Sequence, residues 1–190
     1  MILPIRAFGD AILRKHCHEI DKDYPELKTF VANMFETMDS ASGIGLAAPQ
    51  VGLDIRLFVV DVSPLADDED YEDIADELRN FKKVFINATI LEESGEEWKF
   101  NEGCLSIPDV REDVKRKETI IIEYYDENFV KHTDTFSDMR ARVIQHEYDH
   151  IEGILFTDHL SSLKKKLVKG KLAKISQGDV SVNYKMRFPK

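Results

Sequence analysis

From Leu27 the apolar residues Leu27, Phe30, Val31, Met34 and Met38 recur every three or four positions, which predicts an amphipathic helix. Pro25 stands just before this run and Gly43 just after it, where a helix start and stop are expected. Ile55 to Val62 changes the pattern to a nearly continuous apolar, β-branched run and predicts a buried strand. Val84 to Leu91 predicts a second strand and Glu96 to Asn101 a third. Thr119 to Tyr125 and Phe129 to Phe136 flank the polar triplet Asp126-Glu127-Asn128 and predict a hairpin. Helical spacing returns from Ser137 to about Glu152, with Ser137 or Asp138 as N-cap and Gly153 as the stop. A last amphipathic helix is predicted from Leu160 to Ile175, followed by an irregular tail over 177–190. Strands cluster in the middle and helices flank them without regular alternation. The expected class is therefore α+β, with mainly antiparallel strands packed around a central helix and with N-terminal and C-terminal helices.

A chain of 190 residues, 43% hydrophobic and 33% charged, is expected to form one ordinary domain spanning 1–190. The net charge of −10 argues against nucleic acid as a partner, because phosphate binding needs clustered Lys and Arg. Eight of the eleven residues from Asp67 to Glu77 are acidic, so much of that charge belongs to a solvated segment, read as an insertion over 67–80. The N-terminus lacks a signal-like basic and apolar pattern, and no run approaches membrane-spanning length. Cys17 and Cys104 do not make a disulfide framework, so the expected location is the reducing cytoplasm, with a thiolate free to bind metal.

The chemistry is concentrated in His146-Glu147-Tyr148-Asp149-His150, an H-E-x-x-H pattern inside the predicted helix. Residues four apart share a helix face, so His146 and His150 can offer nitrogens to one metal ion, with Glu147 beside it to take a proton from water. A catalytic metal normally has a third protein ligand. In one peptidase class it is a histidine six residues after the second; Gly153 fits that extension, but the position is Phe156. In another it is a downstream glutamate, and no glutamate follows Glu152. Asp158, His159 and Asp179 remain as fallbacks. Upstream, Glu102-Gly103-Cys104-Leu105-Ser106 offers a thiolate; the alternative is a buried cysteine that packs as a small hydrophobe. A third segment, Gly43 to Gly52, matches G-x-G-x-x-A at Gly43, Gly45 and Ala48. A dinucleotide turn must follow a strand and open a helix, and here the order is reversed. Small residues there instead let backbone lie close to a substrate, with Gln50 presenting an amide, or form a plain tight connection.

These three segments together resemble the peptide deformylase family, bacterial type. The family pattern is G-x-G-x-A-A-x-Q, then E-G-C-L-S, then H-E-x-D-H, and Gly43–Gln50, Glu102–Ser106 and His146–His150 match it without a mismatch. The resemblance implies a metallohydrolase that removes formyl from the N-terminal formyl-methionine of newly made polypeptides, releasing formate, near the ribosome. It implies Cys104, His146 and His150 as metal ligands, with Fe²⁺ as the physiological metal and Zn²⁺ or Ni²⁺ able to replace it. It implies Glu147 as the acid–base group, and the Gln50 amide and Leu105 N–H as donors to the formyl oxygen. Arg111 resembles a position that contacts the peptide backbone. Helix geometry puts Met139 and Val143 on the face of His146 and His150, where they form an apolar wall with Ile44 opposite and Gly45 beside it, or else belong to the ordinary core. Glu102 is expected to support the motif from behind, and the His16-Cys17-His18 trio to be structural. Two rival functions are a metallopeptidase cleaving internal peptide bonds and a zinc module that uses the ion only to fold.

Overall fold

The computed structural model describes residues 1–189. In chain order the main elements are β1 (Ile5–Arg6), α1 (Leu27–Ser40), β2 (Gly45–Ala47), β3 (Leu57–Asp61), α2 (Ala75–Arg79) and β4 (Lys82–Cys104). They continue with β5 (Ile107–Tyr125), β6 (Lys131–Ser137), α3 (Asp138–Ile151), α4 (Ser162–Ser176) and β7 (Met186–Arg187). Strands β2 to β6 form one antiparallel sheet in sequence order, while β1 and β7 pair in parallel. The class is mixed α and β with antiparallel pairing.

The continuous apolar run in β3 follows from burial on both faces. Leu57 and Val59 point to the cluster that contains Met34 and Met38 of α1. Phe58 and Val60 point to the opposite cluster, with Met139, Val143 and Ile144 of α3. On that side Phe58 stacks on Phe85 at 4.8 Å between ring centroids. A third cluster joins Ile107, Val110 and Val114 of β5 to Val168 and Ile175 of α4 and to Leu155 and Phe156 between the helices.

Two strands expected separately, Val84–Leu91 and Glu96–Asn101, are one strand, β4. The acidic, Gly-containing stretch between them does not interrupt it, because its residues lie on the exposed part of a long arm and irregular register at Ile90/Glu92 and Ser94/Glu97 absorbs the bend. The strand β5 begins well before Thr119, through the charged stretch Arg111–Lys117, since Val110, Val114 and Arg116 face inward there while their neighbours face water. The last strand of the expected hairpin starts at Lys131: Phe129 takes a left-handed φ of 57°, and the Asp126 carboxylate accepts from the Asn128 and Val130 amides in the turn. The acidic segment carries a short 3-10 turn over Glu69–Ile74 and then α2. The tail is irregular except for β7, which returns to the N-terminus.

Candidate active site

Cys104 ends β4 and pairs with Ile107 at the start of β5, so the E-G-C-L-S segment is the tight turn of the long hairpin. This turn meets α3, which the H-E-x-x-H segment occupies. Ser137 takes the N-cap position of α3, and the carboxylate of Asp138, the first helical residue, accepts the Arg140 N–H at 3.0 Å. Its end is closed by Gly153, at φ 74°, with the Ile154 N–H returning to the Asp149 carbonyl at 2.8 Å. One helix turn separates His146 from His150, and their rings lie 5.2 Å apart.

The ligand atoms of Cys104, His146 and His150 all lie within 4.8 Å of one another, with Cys104 Sγ 3.3 Å from His150 Nε2. A tetrahedral ion with bonds of about 2.3 Å to sulfur and about 2.1 Å to nitrogen sets those atoms roughly 3.6 Å apart, so this donor set fits a metal. Burial alone would lower His146, but its hydrogen bonds to Cys104 and Glu102 hold it well above the ordinary histidine value. Burial and the neighbouring His146 keep His150 neutral, with a lone pair to offer. His146 Nδ1 lies 3.0 Å from Glu102 Oε2, which leaves Nε2 for the metal.

Glu102 is the hub behind the three candidate ligands. Its carboxylate accepts from Arg116 Nε at 2.8 Å, from Arg116 Nη2 at 3.0 Å and from Arg142 Nη1 at 2.9 Å. Burial works against its charge, yet the bonds from His146 and Arg116 hold Glu102 well below the usual carboxylate range. Arg116 also reaches Asp149 of the H-E-x-D-H segment at 2.8 Å, and Asp149 in turn pairs with His159. Arg142, 1% exposed, lies one helix turn before His146, with its guanidinium 4.1 Å from the Trp98 ring centroid. Arg116 and Arg142 escape a reading of the sequence alone because charged residues usually face water. The available signal was their spacing, Arg142 four residues before His146 and Arg116 on alternating positions with buried Val114.

Glu147 is 4% exposed and its Oε2 has no hydrogen-bond partner among the described residues, so it borders the cleft with free acceptor capacity. Burial, reinforced by Glu102 and opposed by His146, pushes its carboxyl up to about 7. Gly45 lies against it: a Cβ there would come within 2.4 Å of Glu147 Oε1. The Gln50 Oε1 accepts the Ala47 N–H at 2.8 Å, which aims its Nε2 at Ser106 Oγ, 3.2 Å away, and at Cys104 Sγ, 3.5 Å away.

A cleft of about 910 Å³ opens over these groups. Ile44, Gly45, Gln50, Leu105, Arg111, Met139, Val143, His146 and Glu147 all border it, as do Phe100, Leu65 and Tyr71. Ile44, Leu65, Tyr71 and Phe100 pack against the cluster of Met139 and Val143, so one end of the cleft is apolar. The Arg111 side chain is tied back to Asn101, 2.7 Å from its carbonyl. The His16–His18 trio lies elsewhere: Cys17 is buried, and His16 pairs with Glu152 at 2.8 Å. Four cleft residues, Ser181 to Tyr184, come from the tail, and Tyr71 comes from the acidic segment; nothing in their local sequence signals this.

Comparison with known proteins agrees with this geometry. Residues 2–166 match the family model described as polypeptide deformylase. The chain is 62% identical over 190 residues to a peptide deformylase of Christiangramia forsetii, covering 100% of this chain and 97% of the relative. It is 60% identical to that of Flavobacterium johnsoniae, over 99% and 96% of the two chains. Among solved structures, a peptide deformylase from Legionella pneumophila superposes with a TM-score of 0.79 at 34% identity, covering 94% of this chain and 98% of that one. Arabidopsis thaliana peptide deformylase 1B superposes with a TM-score of 0.80 at 32% identity, over 93% and 92%. The chain belongs to the polypeptide deformylase family, metal-dependent hydrolases that remove the N-terminal formyl group from N-formyl-methionyl nascent peptides.

Proposed function

We propose that the chain deformylates nascent polypeptides in the cytoplasm, near the ribosome, with Fe²⁺ as its cellular metal and with Zn²⁺ or Ni²⁺ as workable substitutes. The observation that carries this reading is the convergence of Cys104, His146 and His150 within 4.8 Å beside a buried Glu147 with a free oxygen. When bound, the metal supplies Lewis acidity that makes water nucleophilic near neutral pH.

The chain's own groups do the rest. Glu147, with a carboxyl near 7, takes a proton from water and delivers it to the leaving amine nitrogen. Negative charge growing on the formyl oxygen is met by the Leu105 N–H and the Gln50 amide, each worth about 10²- to 10³-fold in rate. The methionine side chain enters the apolar end formed by Ile44, Phe100, Met139 and Val143. Burying a side chain of that size favours binding by roughly 1.5–3 kcal/mol. Gly45 lets the reacting peptide approach Glu147, and Arg111, on the cleft rim, holds the peptide backbone beyond the methionine.

Formate release from formyl-Met-Ala by anaerobically Fe²⁺-loaded protein tests this. Release is expected with formyl-Met-Ala and not with an internally cleavable, N-acetylated peptide. Cleavage of the acetylated peptide at an internal bond would overturn it.

A further inference from the structure

The family match ends at residue 166, yet the chain beyond it reaches the cleft. After α4 the backbone reverses at Gly178, at φ 79°, and runs back along the cleft to β7. There it is fastened to the N-terminal segment, with the Ile5 N–H on the Lys185 carbonyl at 2.8 Å and the Ala7 N–H on the Arg187 carbonyl at 2.9 Å. Val180, Met186 and Phe188 pack on the third apolar cluster, which keeps the strap seated.

The two joined chain ends converge on the turn that carries Cys104. Its two tip residues, Leu105 and Ser106, present carbonyls that the β4–β5 ladder leaves unpaired. The Ser106 carbonyl accepts the Phe8 N–H at 2.8 Å. The Leu105 carbonyl accepts the Tyr184 hydroxyl, also at 2.8 Å. The Ser106 side chain is held in turn by Gln50. Tyr184 is half-buried against the cluster that includes Leu105, and its burial pushes the phenol up to about 12, so the hydroxyl stays a donor throughout the working pH range.

We infer that the paired termini clamp the Cys104–Ile107 turn, and that Tyr184 is a positioning residue that fixes Leu105 while the cleft is open to substrate. This rests on the proposed role of the Leu105 N–H as a donor to the formyl oxygen. A donor held in place ahead of reaction keeps its full effect on the transition state, whereas one that must reorganise loses part of it.

Tyr184→Phe keeps the ring and removes only the hydroxyl. Loss of one neutral hydrogen bond corresponds to about a fivefold effect on a local equilibrium. In the metal-loaded protein, kcat on formyl-Met-Ala-Ser should fall about five- to tenfold, with KM within twofold and metal content unchanged. Hydrogen–deuterium exchange of the segment spanning residues 101–110 should quicken about fivefold, with the rest of the protein unaltered. A kcat equal to the parent's would overturn the positioning role, and unaltered exchange in that segment would overturn the clamp. A parent protein that releases no formate would instead refute the deformylase reading, and the exchange measurement would then judge the clamp by itself.

Discussion

Glu102→Gln removes one negative charge from a position where two buried guanidiniums and the His146 ring converge. Glu102 is 4% exposed, Arg142 1% and Arg116 7%. Breaking a buried ion pair by removing one partner costs about 3–5 kcal/mol, because the other charge stays buried and uncompensated. Arg116 retains Asp149 at 2.8 Å, so the lower end applies, about 3 kcal/mol. For a chain of this size that lowers Tm by roughly 6–12 °C, at about 2–4 °C per kcal/mol. The loss depends on pH in a defined direction. The folded-state pKa of Glu102 lies below its ordinary value of 4.5, so near and below that pH the unfolded chain binds more protons than the native one. Its contribution is therefore fully present above about pH 4.5 and fades as pH falls toward the folded value. Thermal unfolding of the metal-free parent and variant should show the full gap at pH 7 and a narrowing gap below pH 4.5. The variant should also bind metal about 10- to 100-fold more weakly, since His146 Nδ1 loses its carboxylate partner. A Tm within 2 °C of the parent at pH 7 together with unchanged metal affinity would refute the hub assigned to Glu102.

Glu147→Gln should keep its metal and lose about 10²- to 10⁴-fold in kcat, checked by metal analysis beside formate release. Gly45→Ala should do the same more mildly, because the added methyl would meet Glu147 Oε1 at 2.4 Å and displace the carboxylate while leaving Cys104, His146 and His150 in place; a variant with normal kcat would contradict this. Burial pushes the Cys17 thiol up to about 11, so with metal bound neither cysteine should react readily with a disulfide reagent at pH 7. Chelation should then expose one fast thiol, Cys104, and mass spectrometry of the labelled protein should find Cys17 unmodified.

The elements with strong periodicity were legible in advance: α1 from Leu27 onward, β3 from its apolar run, and α3 with Ser137 at its N-cap and Gly153 as its stop. The strand β5 was half hidden, because Arg111–Lys117 reads as a solvated charge run until Arg116 is seen to turn inward onto Glu102 and Asp149. The union of two predicted strands in β4 was hidden for the opposite reason, since an exposed hairpin arm needs no apolar pattern to stay paired. At the site, local motifs pointed to Cys104, His146, His150, Glu147 and Gln50. Contacts made across the fold left no such mark. Tyr184 reaches Leu105 over a separation of 79 residues, and Arg142 reaches Glu102 over 40. A tyrosine in a short polar tail and an arginine on a helix look ordinary until the backbone brings them to the cleft.

The proposed chemistry needs Cys104 as the third metal ligand, and metal analysis of Cys104→Ala tests this most directly. A thiolate contributes both charge and a bond, and two imidazoles alone hold a divalent ion weakly. After anaerobic loading with Fe²⁺ or Ni²⁺ and dialysis, the parent should retain close to one metal per chain and release formate from formyl-Met-Ala. Cys104→Ala should retain little metal and release almost no formate. Full metal occupancy with intact formate release in Cys104→Ala would contradict the account at its centre.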